Sequence, residues 1–163
     1  MAKSTFSGPI RSKAGIFNAG SDSVVSLTAD TTLTVDAHAG RILACNDADG
    51  KFTLPTILSS PLRLTLNNLG ATYTFFIETA ATDLDILTDG TDKFVGGLYT
   101  GKDDATGKTF IAGATNDVIT LNGSTKGGLA GSIIRVTAVA DNKYAVEGII
   151  LGSGTIVTPF ADA

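Results

Sequence analysis

Tryptophan is missing from this chain, cysteine, methionine and histidine each occur once, and glutamate only twice. The lone Cys45 excludes an intramolecular disulfide, so cysteine usage says nothing about compartment. The opening stretch, MAKSTFSGPIRSK, has none of the apolar run that a signal peptide carries. No stretch nears the roughly 18 apolar residues of a membrane span, and the nearest run is Gly148–Leu151. The expectation is a soluble protein made in the cytoplasm and not exported by the general secretory route. Charged residues are 17% of the chain against about 25% ordinarily. The acidic pI near 4.7 argues against nucleic acid as a partner, because phosphate binding needs a basic face.

What the chain has instead is glycine (19), threonine (23) and short apolar alternations, a strand-and-turn composition poor in helix formers. At 163 residues it suits one domain that buries roughly 70% of its unfolded surface. Charge is unevenly placed. The stretch from Met1 to Ser21 carries Lys3, Arg11 and Lys13 and no acid. Of the 12 basic and 16 acidic side chains, nine basic and all the acidic ones therefore lie beyond it, a net of −7 for the rest. A basic leader broken by Ser, Gly and Pro reads as a tether. The division expected is an extended arm over 1–23 and a single β domain over 24–163.

Period-two alternation predicts strands along the body. Over 32–36, Leu33 and Val35 share one face, and Arg41 to Cys45 is mostly apolar. Phe52 and Leu54 follow, and Pro55 ends that ladder because it has no N–H. Leu62, Leu64 and Leu66 alternate with polar residues, and Tyr73, Phe75 and Ile77 share a face. Phe76 lies opposite them among Thr72, Thr74 and Glu78, which predicts that this second face is also covered. Further strands are expected over 94–99, 108–112 and 117–122. The strongest hairpin joins 132–140 to 143–151 through Asp141-Asn142, suited to a type I′ turn. Residues 148–160 supply a last strand and tail that either closes the sheet or crosses to a neighbour. The strings Phe52-Thr53-Leu54-Pro55, Leu64-Thr65-Leu66-Asn67 and Ile119-Thr120-Leu121-Asn122 are similar, but such short strings are too little to establish a repeat. The fold class expected is all-β, a jelly-roll-like β-sandwich or related small barrel with an extended N-terminal arm.

Tests for chemistry fail one by one. Gly96 to Asp103 matches a phosphate loop until Asp103, which stands where Ser or Thr must hold magnesium, and no helix start follows. Asp47, Asp49 and Gly50 fall at calcium-loop positions, but Cys45 and Thr56 occupy the first and the bidentate positions. Asp83, Asp85, Asp89 and Asp92 fit β-turns, where the side chain bonds local backbone, better than a cation site. His38 has no nucleophile and carboxylate to complete a triad. Cys45 reads as a small buried apolar residue. Glu78 and Glu147 lie on different strands, and nothing selects them as a glycosidase pair. Asn122-Gly123-Ser124 fits a glycosylation sequon that has no meaning without secretion. No enzyme, cofactor or metal is expected.

Two stretches carry a resemblance. Ser4-Thr5-Phe6-Ser7-Gly8-Pro9-Ile10-Arg11-Ser12 resembles the leader of head decoration proteins of tailed bacteriophages. The C-terminal part is similar to the same group through Ile119 to Gly123, Gly127 to Gly131, Tyr144 to Gly148, Gly152 to Thr155 and Thr158 to Phe160. Tyr144 stands where such relatives often carry Trp. The resemblance covers the two ends of the chain, and the middle matches only in its strand rhythm. It implies a small β-domain, commonly trimeric, on the outer capsid surface where major capsid subunits meet, cementing the shell. The partners it implies are the major capsid protein and the chain itself as a homotrimer, with no nucleic acid and no membrane.

The residues fit that role on separate grounds. Lys3, Phe6, Pro9, Ile10, Arg11, Lys13, Ile16 and Phe17 form the candidate capsid-binding arm. Its apolar members suit pockets along an added strand, and its cations meet acidic capsid residues. Phe76, Ile133, Ile149 and Phe160 are the candidate subunit contacts. A tail-fibre or receptor-binding β module, with carbohydrate as a candidate ligand, is the rival reading. It is weakened by the lack of Trp and the presence of only three Tyr.

Overall fold

The structure, a computed structural model, describes residues 20–58, 68–101 and 107–163. The arm residues up to Phe17, the alternation at Leu62, Leu64 and Leu66, and Asp103 lie outside the described residues. Within them the chain is a β-sandwich. The strands are β1 (Val24–Leu27), β2 (Thr31–Thr32), β3 (Ile42–Cys45), β4 (Lys51–Thr53), β5 (Thr72–Ile77) and β6 (Leu84–Leu87). They continue with β7 (Lys93–Gly101), β8 (Thr109–Ile111), β9 (Val118–Leu121), β10 (Ile133–Ala140), β11 (Lys143–Leu151) and β12 (Phe160–Ala161). One sheet has seven strands in the order β1-β3-β5-β10-β11-β7-β8, and the other has five in the order β12-β9-β6-β4-β2.

The first six strands alternate between the two sheets. Val24 pairs with Ile42 and Ile42 with Thr74 in the larger sheet; Thr31 pairs with Phe52 and Phe52 with Ile86 in the smaller one, all in parallel. The chain therefore winds as a flattened coil of three turns, each contributing one strand to each sheet. An antiparallel jelly roll is wired differently, so the sandwich agrees with the expected class while half of it is coil-wound. The second half supplies antiparallel pairs, β5 with β10, β10 with β11, β7 with β8 and β6 with β9, plus a parallel β7–β11 contact.

Alternation drives the core. Tyr73, Phe75 and Ile77 are fully buried on one face of β5, as the period of two requires. Phe52 of the smaller sheet stacks on Phe75 of the larger, with ring centroids 6.4 Å apart, and Phe94 meets Phe160 at 6.5 Å. These rings close the space between the sheets, where aromatic pairs add about 0.5–1.5 kcal/mol beyond area burial.

Three local expectations are corrected. Residues 32–36 are not one strand. After β2 the Thr34 side chain accepts from Ala37 N–H at 3.3 Å and caps the short helix α1 (Val35–His38). Leu33 is thus buried while Val35 is 39% exposed. At the β10–β11 hairpin only Asn142 takes positive φ, at 56°, and the register shifts between Ala138 and Ala140. The turn is a bulged one and not type I′, which needs two such residues. The third correction concerns Phe160, placed in the core rather than on a contact surface. It is 6% exposed, and β12 pairs with β9, so the tail closes this chain's own sheet. Phe52 and Ile119, from two of the similar tetrapeptides, flank Ile86 on strands running in opposite directions, which is not how successive copies of one unit would lie.

Candidate interaction face

The outward face of the seven-stranded sheet is apolar along the five central positions of one register row, which ends in Ser26 on β1 and Thr109 on β8. Ala44 pairs with Phe76, Phe76 with Ile133, Ile133 with Ile149, and Ile149 with Tyr99. Because the side-chain period is two, these residues point away from the core that Leu43, Phe75, Ile134, Ile150 and Leu98 fill. Ile133, Ile149 and Tyr99 remain about half exposed, and Phe76 is half-buried between its neighbours. The next row continues the apolar character at the β1 edge with Val24 and Ile42, then becomes polar through Thr74, Arg135 and Glu147.

Relief on this face follows from side-chain size. A hollow of about 410 Å³ is lined by Val24, Ile42, Ala44, Thr74, Phe76 and Ile133, with Glu78 at its rim. The small Ala44 sets its floor. A second depression of about 440 Å³ lies along β10 and β11 beside Ile133 and Ile149. At the far edge, β8 places Ile111 opposite Gly97. With no side chain at that neighbour, Ile111 stands 76% exposed, the most exposed large apolar residue described. The charged pair on the face, Arg135 and Glu147 at 3.1 Å, is exposed at both partners and neutralises itself, a type of contact that adds roughly 0–1 kcal/mol.

Three of the residues singled out from sequence, Phe76, Ile133 and Ile149, thus fall side by side in one row. Phe160 is in the opposite sheet. Sequence reasoning missed Val24, Ile42, Tyr99 and Ile111. Their alternation was readable, but which face of each strand turns outward depends on register, and parallel register across a coil leaves no local mark.

Several of the chemical candidates are accounted for by local structure, while Asp85 lies within β6 and not in a turn, and its Oδ1, like that of Asp92, is buried without a hydrogen-bond partner among the described residues. Burial pushes the Cys45 thiol up to about 12, which keeps it a protonated packing group. His38 Nδ1 accepts from Thr34 N–H at 2.9 Å, a bond within its own helical turn. Asp30 Oδ1 accepts from Lys51 N–H, and Asp89 Oδ1 from the N–H groups of Thr91 and Asp92, so these carboxylates hold backbone in turns. Asn122 Oδ1 likewise holds Ser124 and Lys126 N–H. Gly96 and Gly97 lie within β7 and not in a phosphate-binding loop. Glu147 is engaged by Arg135, while Glu78 borders the hollow.

No protein-family model matches the chain, and no curated protein or solved structure matches it either.

Proposed function

We propose that this chain is a non-enzymatic structural virion protein that binds the outer surface of a bacteriophage capsid. It bridges major capsid subunits and stabilises the shell as a homotrimer. The observation that carries the reading is the apolar row Ala44–Phe76–Ile133–Ile149–Tyr99 on an otherwise self-sufficient sandwich. A continuous apolar strip on an outer sheet face marks a surface meant to be covered by protein. The leader's resemblance to head decoration proteins supplies the setting. In this reading Phe6, Ile10, Ile16 and Phe17 enter capsid pockets, Lys3, Arg11 and Lys13 orient the arm, and Pro9 interrupts its ladder. Three arms on one particle multiply their affinity through effective concentration. A cyclic trimer matches three-fold positions of an icosahedral shell.

The test is quantitative gel densitometry of purified particles. Decoration requires hundreds of copies per virion, whereas a few copies would transfer the protein to a tail fibre. Deleting Met1 to Asn18 is expected to leave a folded protein that no longer binds capsids. Undiminished capsid binding by that deletion would refute the arm assignment.

A further inference from the structure

We propose that the leader covers the apolar hollow of its own chain, with Phe17 seated over Ala44 and Lys13 beside Glu78. The segment concerned, 13–19, lies outside the described residues, and the chain enters the described part at Gly20. The point of entry selects the occupant. Val24, the first residue of β1, lines the hollow together with Ile42, Ala44 and Phe76. Just ahead of it the Ser23 N–H donates to the Gly20 carbonyl at 3.0 Å. Gly20 holds a φ of 133°, a backbone conformation that side-chain-bearing residues rarely adopt. A tight turn of this kind reverses the chain, so the leader is directed back toward the sheet instead of away from it.

The side chains match the surface they would cross. In an extended segment Lys13, Gly15, Phe17 and Ala19 share one face, because the side-chain period is two. Phe17 precedes Gly20 by roughly 10 Å of extended chain, and Ala44 lies one outward step beyond Ile42, roughly 7 Å along β3. An aromatic ring thus arrives over the alanine floor, and its seating removes apolar surface of both partners from water. Charge agrees with this direction. Among the described residues that line the hollow Glu78 alone is charged, one outward step beyond Phe76, and the leader carries three basic side chains and no acid. The leader is joined to β1 itself, which gives it an effective concentration on the order of millimolar and favours it over a second copy. While seated, Phe17 is withheld from the capsid pocket assigned to it above, and Ile16 faces outward. That exchange on particle binding rests on the function proposed above; the seat itself does not.

The chain has no tryptophan, so Phe17→Trp in the full chain places a single fluorescent reporter in the segment. Its emission is expected to be blue-shifted relative to the urea-unfolded chain, and to stay so on dilution. Adding Ile42→Arg, at an exposed position, should move the emission to the solvent value with unchanged circular dichroism. If Ile42→Arg fails to fold, Val24→Asp repeats that arm at another exposed position of the hollow. A second measurement does not ask the hollow to hold a larger ring, and it decides where that ring does not fit. Phe17→Cys with Ile42→Cys should close a disulfide within one chain under mild oxidation, the native Cys45 being buried. Phe6→Cys with Ile42→Cys should close far more slowly. A blue shift that ignores both hollow variants would overturn the proposal, as would a Phe17→Cys pair that closes no faster than the Phe6→Cys pair. Bonds formed only between chains would refute the own-chain seat in favour of a second copy. A seated leader on a chain that never coats particles would refute decoration and leave this contact standing; a coating chain whose pair never closes would do the reverse.

Discussion

At Tyr144 a single hydroxyl ties the larger sheet to the segment that leaves β4. It donates to the Pro55 carbonyl, with the ring fully buried on β11. Burial raises the phenol well above its ordinary range, with Tyr73, Asp92 and Asp89 adding to the effect, so it stays a donor at any working pH. Tyr144→Phe strands a buried carbonyl and is expected to cost about 1–3 kcal/mol, read from urea denaturation. An unchanged midpoint would refute the anchoring role. Further along the same segment, Ile57 N–H donates to Asp92 Oδ2 at 2.8 Å. Asp92 is fully buried, and that burial raises its pKa above the usual carboxylate value, helped by Asp89 and opposed by the Ile57 N–H. Asp92 therefore takes up a proton more readily in the folded state than in the unfolded chain. Stability from this group is present below the unfolded value, near 4, and is lost as pH rises through the raised folded one. Asp92→Asn, which cannot ionise, should remove that part of the pH dependence in thermal melts. A variant whose melting profile keeps the wild-type slope would contradict the assignment.

Among the elements, the β10–β11 hairpin shows how far a sequence pattern reaches. Its two strands and its turn position were legible from alternation and from Asp141-Asn142, and both strands appear within a residue of their expected bounds. The turn type was not legible. Both residues tolerate positive φ, and the bulge near Val139 leaves only Asn142 in that region. Asn142→Val is expected to destabilise by roughly 1–2 kcal/mol, since a β-branched side chain is strained there, while Asn142→Gly stays near neutral. Equal effects of the two substitutions in chemical denaturation would place the turn elsewhere. The coil of the first six strands was hidden for a different reason. Its stacked positions are Val24, Ile42 and Thr74 in the larger sheet and Thr31, Phe52 and Ile86 in the smaller. In both sheets the second step is much longer than the first. A repeat search needs a fixed period, and the unequal spacing removes it. The interaction face was legible where Phe76 broke the polar side of β5. It was illegible at Val24 and Ile111, whose partners are set by pairing with distant strands.

Over the whole molecule, Asp117 joins the two sheets at one end. Its Oδ2 accepts from Lys93 Nζ at 2.7 Å, and its Oδ1 from the N–H of Ala163 at 2.8 Å. Lys93 begins β7 in the larger sheet, and Asp117 precedes β9 in the smaller. Burial alone would raise this carboxyl, but the Lys93 ammonium and the Ala163 N–H outweigh it and hold the pKa below the ordinary value. The sign is opposite to that of Asp92. Stability from Asp117 is present above the unfolded value and is lost as pH falls through the lowered folded one. Asp117→Asn should flatten the acid limb of the melting profile and leave the neutral-pH fold intact. An acid limb as steep as wild type would show that this latch carries none of the acid sensitivity.

The coil also sets an order of assembly. Each parallel turn rests on the one before it, so β1 to β6 can be laid down in the sequence in which a ribosome releases them. β7 is the exception, because its parallel partner β11 begins only at Lys143, after β8, β9 and β10 have been made. That strand must wait for the hairpin to arrive, and closing so long a loop is the kind of contact that slows folding. The molecule is thus built from its N-terminal coil outward, and the β7–β8 edge that carries Ile111 joins the larger sheet only after β11 has been made.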